Sequence, residues 1–406
     1  MKRRTGGIVL LFMLVCGWHG IGHSDTRITA TAGMLNRKLA AIAGPSDAVM
    51  AAGPDGHLIC AVNADRLLIP ASTLKVLIAL AALHHLGPGY RFSTDFYLRS
   101  GDTLIIKGYG DPLLVSERIA HMAQVLSGKM EAIDALVLDD SFFAYPIVIP
   151  GRGRSNQPYD APNGALCVNF NTVCFKQENG AWISAEPQTP LLSGVIPKIE
   201  ASGLRQGRIT LAANRNEGLQ YVAALFRYFF NQAGIRTTNR LTFDPVDPSR
   251  DRLLWRSPSD KTVSDVIRDL LEFSNNFIAN QLLLAMGAQV HGPPGTLDKG
   301  LNTLKDYYGE TLGLKTGRIV EASGISRQNR MTARAMLTLL EAFAPHHGLM
   351  RRQGRQYYKT GHLKGIRTRA GYITAANGGL YRFVVLINTP GKSTARIMEL
   401  LESELP

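Results

Sequence analysis

The chain has 406 residues, 45% hydrophobic and 19% charged, with a formal net charge of +13. That balance excludes a disordered or low-complexity chain and leaves room for two or more domains and a large core. The basic excess does not point to nucleic acid, because no Lys/Arg cluster is interleaved with aromatic residues as such a surface requires.

In chain order, the N-terminus reads as a secretory signal. Lys2, Arg3 and Arg4 form its basic start, Ile8 to Cys16 its apolar run, and Gly20-Ile21-Gly22-His23-Ser24 a small-residue cleavage zone. The apolar run is short for a transmembrane helix, and an uncleaved anchor is the alternative reading. Cys16 is a poor lipidation site, because Val15 precedes it where a small residue is wanted. Residues 1–24 are thus expected to be removed on export to the bacterial periplasm or cell surface, which lowers the charge from +13 to +10. There the positive surface meets anionic envelope polymers, with membrane association at most peripheral. Of the cysteines that remain, Cys167 and Cys174 are spaced to close a short loop in an oxidising compartment. Cys60 would be left free and buried in an apolar strand.

Asp47–Ala52 and Gly56–Val62 predict a hairpin around a Gly-Pro-Asp-Gly turn. Pro70-Ala71-Ser72 is a helix entry, followed by an apolar helix to about Leu86, where Gly87-Pro88-Gly89 stops it. Between about 90 and 250 short strand-like runs alternate with turns, as in Thr103–Lys107 and Ala135–Leu138, with helical segments near 116–127 and 217–233. Beyond Ser259 helix-period apolar positions return at 261–273, 276–287, 296–307 and 331–343. Strand-like Gly371–Thr374 and Tyr381–Ile387 follow, and an amphipathic stretch at 391–404 that suits packing on a sheet. The order predicts an α/β (α+β) fold. One domain is built from both ends of the chain, 25–89 and 252–406, and is interrupted by a mostly β insertion over 90–251.

Three motifs carry chemistry. Ser72-Thr73-Leu74-Lys75 puts a hydroxyl and an amine on one helical face. Apolar neighbours bury both, and burial drives a lysine toward its neutral, proton-accepting form. At the positive end of a helix such a pair makes a nucleophile. Phe273-Ser274-Asn275-Asn276-Phe277 offers a hydroxyl and a carboxamide two residues apart between helical segments, where both also suit capping. Lys359-Thr360-Gly361 leads into a strand, where Lys359 also suits an edge charge. A second string, Lys315-Thr316-Gly317, shows how little K-T-G means alone. No His/Cys/Asp grouping has metal-ligand spacing; His84-His85 and His346-His347 are adjacent pairs whose side chains diverge on any regular element.

S-x-x-K, then S-x-N, then K-T-G is the signature order of active-site-serine penicillin-binding proteins and serine β-lactamases. Over nearly all of the mature chain the sequence resembles the D-alanyl-D-alanine carboxypeptidase/endopeptidase family of class C low-molecular-mass penicillin-binding proteins, peptidase family S13. The matching blocks are Asn63 to Lys75, Gly108 to Leu113, Leu138 to Phe143, Ala161 to Asn171, Ser274 to Ala279, Ala322 to Arg327, Lys359 to Ile366 and Ala370 to Tyr372.

The resemblance implies a transpeptidase-type domain, an antiparallel sheet flanked by helices. It implies that Ser72 attacks the terminal D-Ala-D-Ala peptide bond and forms an acyl-enzyme, with Lys75 as base. Ser274 would relay a proton to the leaving amine, and Asn276 would hold the substrate amide or Lys75. Lys359 and Thr360 would recognise the substrate carboxylate, Gly361 would let the substrate lie along the strand edge, and the N–H groups of Ser72 and His362 would form the oxyanion hole. Asp139, Phe143 and Arg327 fall in blocks that line the family's substrate side-chain pocket; structural pairing fits Asp139 and Arg327 equally well. No cofactor or metal is implied. The partners are peptidoglycan stem peptides, with β-lactams as inhibitors that acylate Ser72. The sequence departs from the pattern at Asn275 (usually Asp), Asn280 (commonly Glu), His362 (usually a small hydroxyl residue) and in a short approach from Phe343 to Lys359. Two rivals stay open: a serine β-lactamase-like hydrolase, which needs a group to activate the deacylating water, and a catalytically silent peptidoglycan-binding protein of the same fold.

Overall fold

The computed structural model describes residues 25–405; the signal reading, Cys16 included, lies outside the described residues. Both ends of the chain build one six-stranded antiparallel sheet, in the order Arg351–Gln353, Gln356–Leu363, Ile366–Thr374, Leu380–Ile387, Asp47–Ala52, Leu58–Val62. The central pairing sets Ala48 against Leu386 and Met50 against Val384. Asp47–Ala52 is buried at every position, because helices cover both faces of the sheet. Alternate residues go to opposite cores. Val49, Ala51, Val385 and Ile387 face Leu35, Leu39, Ile397 and Leu401 of the helices Asp25–Ile42 and Ala395–Glu404. Ala48, Met50, Val384 and Leu386 face the helices Lys75–His85, Val263–Phe273, Asn276–His291 and Ala333–Phe343. The Lys75 helix is buried from Lys75 to Leu83, which explains its uniformly apolar sequence.

Residues 93–258 hold a second, mixed sheet in the order Leu241–Phe243, Ala135–Asp139, Thr103–Gly108, Ser93–Arg99, Arg252–Pro258. Helices Ser116–Ser127 and Arg215–Gln232 pack on it through Ile119, Met122, Val222, Phe226 and Phe230. A smaller three-stranded sheet, Ala181–Ser184, Thr172–Glu178, Gln206–Thr210, lies within the same stretch. Arg252–Pro258, placed with the C-terminal half by the sequence reading, pairs with Ser93–Arg99 and belongs to this second sheet. Cys60 is buried in its strand as expected. Cys167 and Cys174 do not bridge: both are free thiols, and Cys167 Sγ accepts from Asn171 Nδ2 at 3.0 Å.

The inserted stretch is bolted to the Asn276–His291 helix. Asn163 Nδ2 donates to Phe277 O and to Gln281 Oε1, both at 2.9 Å, and Gln281 Nε2 donates to Gly164 O at 2.7 Å. The other side of that helix crosses Leu297–Asp306 at touching backbones. A Cβ on Gly300 would stand 2.4 Å from Leu283 O, and one on Gly287 2.4 Å from Gly300 N. Alanine normally gains about 1 kcal/mol over glycine inside a helix. Gly300→Ala is expected to do the reverse, lowering stability by about 1–3 kcal/mol through overpacking. A chemical-denaturation midpoint equal to or above wild type would contradict this crossing.

Candidate active site

Ser72 sits in a short 3₁₀ turn, Ala71–Leu74, that feeds directly into the Lys75–His85 helix. The approach to it is pinned on two sides. Ile69 exchanges hydrogen bonds with the Asn388 side chain at 2.8 and 3.1 Å, and Thr368 Oγ1 donates to Pro70 O at 2.8 Å. Ala71 is held at φ +47°, a left-handed conformation that costs a Cβ-bearing residue about 1–2 kcal/mol, so the turn before the nucleophile is strained. Two glycines close around it. A Cβ on Gly324 would meet Ala71 O at 1.9 Å, and one on Gly361 would meet Thr368 Oγ1 at 2.2 Å and Ser72 N at 2.8 Å.

Lys75 is fully buried, and its ammonium nitrogen touches three oxygens: Ser72 Oγ at 3.0 Å, Asn276 Oδ1 at 2.8 Å and Ser323 O at 2.6 Å. Burial first, and the nearby Lys359 charge second, push its pKa well below the ordinary lysine value, while Glu321 pulls the other way. A neutral amine has two N–H groups and one lone pair. The amide oxygen of Asn276 and the carbonyl of Ser323 can only accept, so they take the two N–H groups. The lone pair is then left for the Ser72 hydroxyl, which is the geometry of a base on a nucleophile.

The S-x-N segment is a break between two helices. Ser274 ends Val263–Phe273 in the left-handed region at φ +56°, and its hydroxyl has no hydrogen bond among the described residues. Asn275, not Ser274 or Asn276, supplies the N-cap, accepting from Ile278 N at 3.2 Å. An Asp or an Asn does that equally well, which accounts for the departure at 275. Asn276 is thereby free to turn its amide to Lys75.

Lys359 stands on Gln356–Leu363, whose outer edge carries Arg351–Gln353 only as far as Tyr358, leaving Lys359 to Leu363 without a strand on that side. Its ammonium is not a solvated edge charge: Lys359 is 2% exposed and donates to Thr360 O at 2.9 Å. Burial lowers its pKa to about 8, with Glu272 opposing and Arg351 adding to the fall. Thr360 is half-buried and His362 exposed on the same strand. Burial, then Arg367 and Lys359, keep the His362 imidazole below its usual pKa. Lys315-Thr316-Gly317 lies elsewhere, on a separate cleft with Lys305, Tyr308 and Arg318.

None of the three further pocket candidates has a hydrogen bond to Ser72 or Lys75 among the described residues. Asp139 is buried in the second sheet, paired with Lys107 at 2.7 Å and accepting from Ser141 N and Val246 N, both at 2.9 Å. Phe143 is 1% exposed and packed against Gly110 and Gly295. Arg327 is exposed and donates to Lys364 O, beyond the K-T-G strand.

Sequence reasoning missed the support of the Ser323 carbonyl. Glu321, fully buried, accepts from Ser323 N, Ser323 Oγ, Gly324 N, Ser326 N and Asn329 Nδ2 at 2.6 to 3.2 Å. Asn280 donates to the same carboxylate at 3.4 Å and accepts from Ala322 N at 3.0 Å. A Glu at 280 would face Glu321, so the amide found here suits its neighbour. The Ala322–Arg327 block was visible in the sequence, but nothing local distinguishes a loop whose carbonyl matters from any other.

A model of the D-Ala-D-Ala carboxypeptidase 3 (S13) family matches residues 40–206 and 188–351. The chain belongs to the S13 family. Among relatives of the S13 chain, D-alanyl-D-alanine carboxypeptidase DacB of Haemophilus influenzae is 23% identical over 82% of this chain and 83% of its own. The D-alanyl-D-alanine carboxypeptidase of Actinomadura sp. strain R39 is 25% identical over 67% of this chain and 60% of its own. The crystal structure of penicillin-binding protein 4 (DacB) from H. influenzae shares the fold, with TM-score 0.72 and 19% identity over 92% of this chain and 99% of that one. The predatory endopeptidase Bd0816 of Bdellovibrio bacteriovorus, in complex with an immunity protein, aligns with TM-score 0.51 and 15% identity over 88% and 90%.

Gly361→Ala tests the packing around Ser72. Displacing a nucleophile by about 1 Å can cost about 100-fold in rate. The variant is expected to keep its far-UV circular dichroism while the acylation of Ser72 by an activated ester falls at least about tenfold. An unchanged acylation rate would show that the strand does not crowd the turn.

Proposed function

We propose that this S13 protein is a periplasmic serine D-alanyl-D-alanine carboxypeptidase that hydrolyses peptidoglycan stem peptides through an acyl-enzyme on Ser72. The observation that carries the reading is the buried Lys75 Nζ within hydrogen-bond distance of Ser72 Oγ, Asn276 Oδ1 and Ser323 O at 3.0, 2.8 and 2.6 Å. Lys75 takes the Ser72 proton as Oγ attacks the scissile carbonyl, and the oxyanion is received by the N–H groups of Ser72 and His362. Lys359, with Thr360, takes the terminal carboxylate, and the open edge from Lys359 to Leu363 receives the peptide backbone as an added strand. The unbonded Ser274 hydroxyl passes the proton to the departing D-alanine amine, and water then releases the acyl group. Cutting a crosslink breaks a D,D-peptide bond of the same kind, so endopeptidase action uses the same groups. The β-lactamase-like reading is disfavoured because Glu321, the buried acid that acts on Lys75, has its carboxylate filled by donors of its own loop. Among the described residues no helix is long and apolar enough to cross a membrane.

Labelled benzylpenicillin is expected to form one adduct, located on Ser72 by peptide mass spectrometry. Ser72→Ala is expected to abolish it and to cut D-alanine release from a pentapeptide by at least about a thousandfold. A folded protein with no adduct would overturn the reading.

The rate of acylation has a defined pH dependence. Lys75 works neutral, so the rate rises with pH through its depressed pKa, below the ordinary lysine range. Lys359 works charged, so carboxylate recognition fades as pH passes about 8. The profile of kcat/KM is therefore a bell. Lys359→Arg keeps its charge at any of these pH values and is expected to carry the falling limb upward while leaving the rising limb in place. A falling limb unmoved in that variant would show that Lys359 is not the group that sets it.

A further inference from the structure

On the face of the six-stranded sheet away from Ser72 lies a cleft of about 510 Å³. One wall is the strand pair Gln356–Leu363 and Ile366–Thr374, and the other is the helix Ala395–Glu404. Alternation fixes the face. Ala370 and Tyr372 belong to the core on the Ser72 side, whereas Tyr358 and Ile373 belong to the core under that helix. Gln356 stands opposite Ile373 in register, and Arg369 alternates with Ala370, so both point the same way as Tyr358.

Two polar side chains of this wall lack partners. Gln356 is 6% exposed, and its amide makes no hydrogen bond among the described residues. Arg369 lies with its guanidinium carbon 3.7 Å from the centre of the Tyr358 ring, and its Nε is buried without a hydrogen-bond partner. A ring face offsets part of the lost hydration, but it accepts none of the N–H groups that radiate in the guanidinium plane. Burial lowers the Arg369 pKa; Tyr358 and Glu402 oppose the fall, yet Glu402 makes no ion pair with it. Glu399 and Glu402 stand exposed on the helix wall, and neither carboxylate has an ion pair among the described residues. Arg355, at the strand turn, donates to the backbone carbonyls of Glu402 and Leu405.

The two walls thus carry opposite charge. A simple anion drawn to Arg369 meets Glu399 and Glu402, and a simple cation meets Arg369 and Arg355. A molecule with both charges satisfies both walls, and the cleft has the size of a small-molecule site. We propose that it binds a small zwitterion, an α-amino acid or a dipeptide, with the carboxylate on Arg369 and Gln356 and the ammonium on Glu399 and Glu402. The site is separate from the catalytic cleft and does not depend on the reaction assigned to Ser72, although hydrolysis there releases one such molecule.

Calorimetric titration of the full protein decides, with D-alanine and glycylglycine as probes. Each is compared with its N-acetyl and methyl ester forms, which delete one charge apiece. At least one zwitterion is expected to bind about tenfold more tightly than either blocked form, the size of one charge-assisted hydrogen bond. Arg369→Gln and Glu402→Gln are each expected to weaken that zwitterion by about tenfold, while acylation of Ser72 by an activated ester stays unchanged. In protein labelled with ¹⁵N-arginine, the Arg369 Nε–H resonance, recognised by its loss in Arg369→Gln, is expected to shift saturably with the same probe. Absence of binding by both zwitterions, equal binding of a blocked form, or an unmoved Arg369 resonance overturns the proposal. Should Arg369→Gln not fold, Glu402→Gln decides, since Glu402 is exposed: undiminished binding in that variant refutes the site. Failure of Ser72 to acylate in the wild-type protein overturns the carboxypeptidase reading and leaves this one standing.

Discussion

A lysine amine buried among three oxygens is the constraint on which this site depends. Ser72, Asn276 and Ser323 come from a 3₁₀ turn, a helix start and a loop about 250 residues from the turn, and each must place one oxygen within 3.0 Å of Lys75 Nζ. Much of the surrounding structure reads as the means of holding those three atoms. Asn388 and Thr368 pin the turn, Asn275 caps the helix so that Asn276 can turn inward, and Glu321 gathers the loop that presents Ser323. The glycines 324 and 361 let loop and strand approach the turn at distances no side chain would permit.

The electrostatics follow from the same packing. Burying an amine favours its neutral form, and a second buried amine nearby reinforces this. Lys359 is itself buried and brought to about 8, near enough to neutrality that its charge is retained only on the acidic side of that value. The two lysines thus divide the labour by environment. One has two acceptors and a hydroxyl beside it, the surroundings a base requires, and the other lies on the open strand edge. Glu321 tempers the first without neutralising it, since its oxygens are already occupied by backbone and amide donors.

The inserted stretch has a part in this beyond its own core. Asn163 and Gly164 fasten it to the helix that carries Asn276, and Phe142 and Ala144 exchange backbone hydrogen bonds with Gly295 on the far side of the same helix. One loop of the insertion brings Arg152 and Tyr159 beside Asn276 and Ser323.

The hairpin at 47–62, the helix after Ser72, the C-terminal strands and the helices beyond 259 were legible because each has one strong period or a clear stop. Strands 93–99 and 252–258 were not, since a mixed sheet under helices leaves no alternation across which to read them. Ser72, Lys75 and Asn276 were legible as motifs, and order along the chain separated Lys359-Thr360-Gly361 from its decoy at 315. For Asp139 and Phe143 the block alone does not separate a group that faces a ligand from one that faces a neighbour. The sequence by itself determined that the Ser72 hydroxyl and the Lys75 amine share one helical face, since three-residue spacing on a helix is a local property. Tertiary structure alone decided that Ser323 and Asn276 take the two N–H groups of Lys75 and that Glu321 holds the first of them in place, because the segments that carry Lys75, Asn276 and the 321–323 loop are far apart in the chain and only folding makes them neighbours.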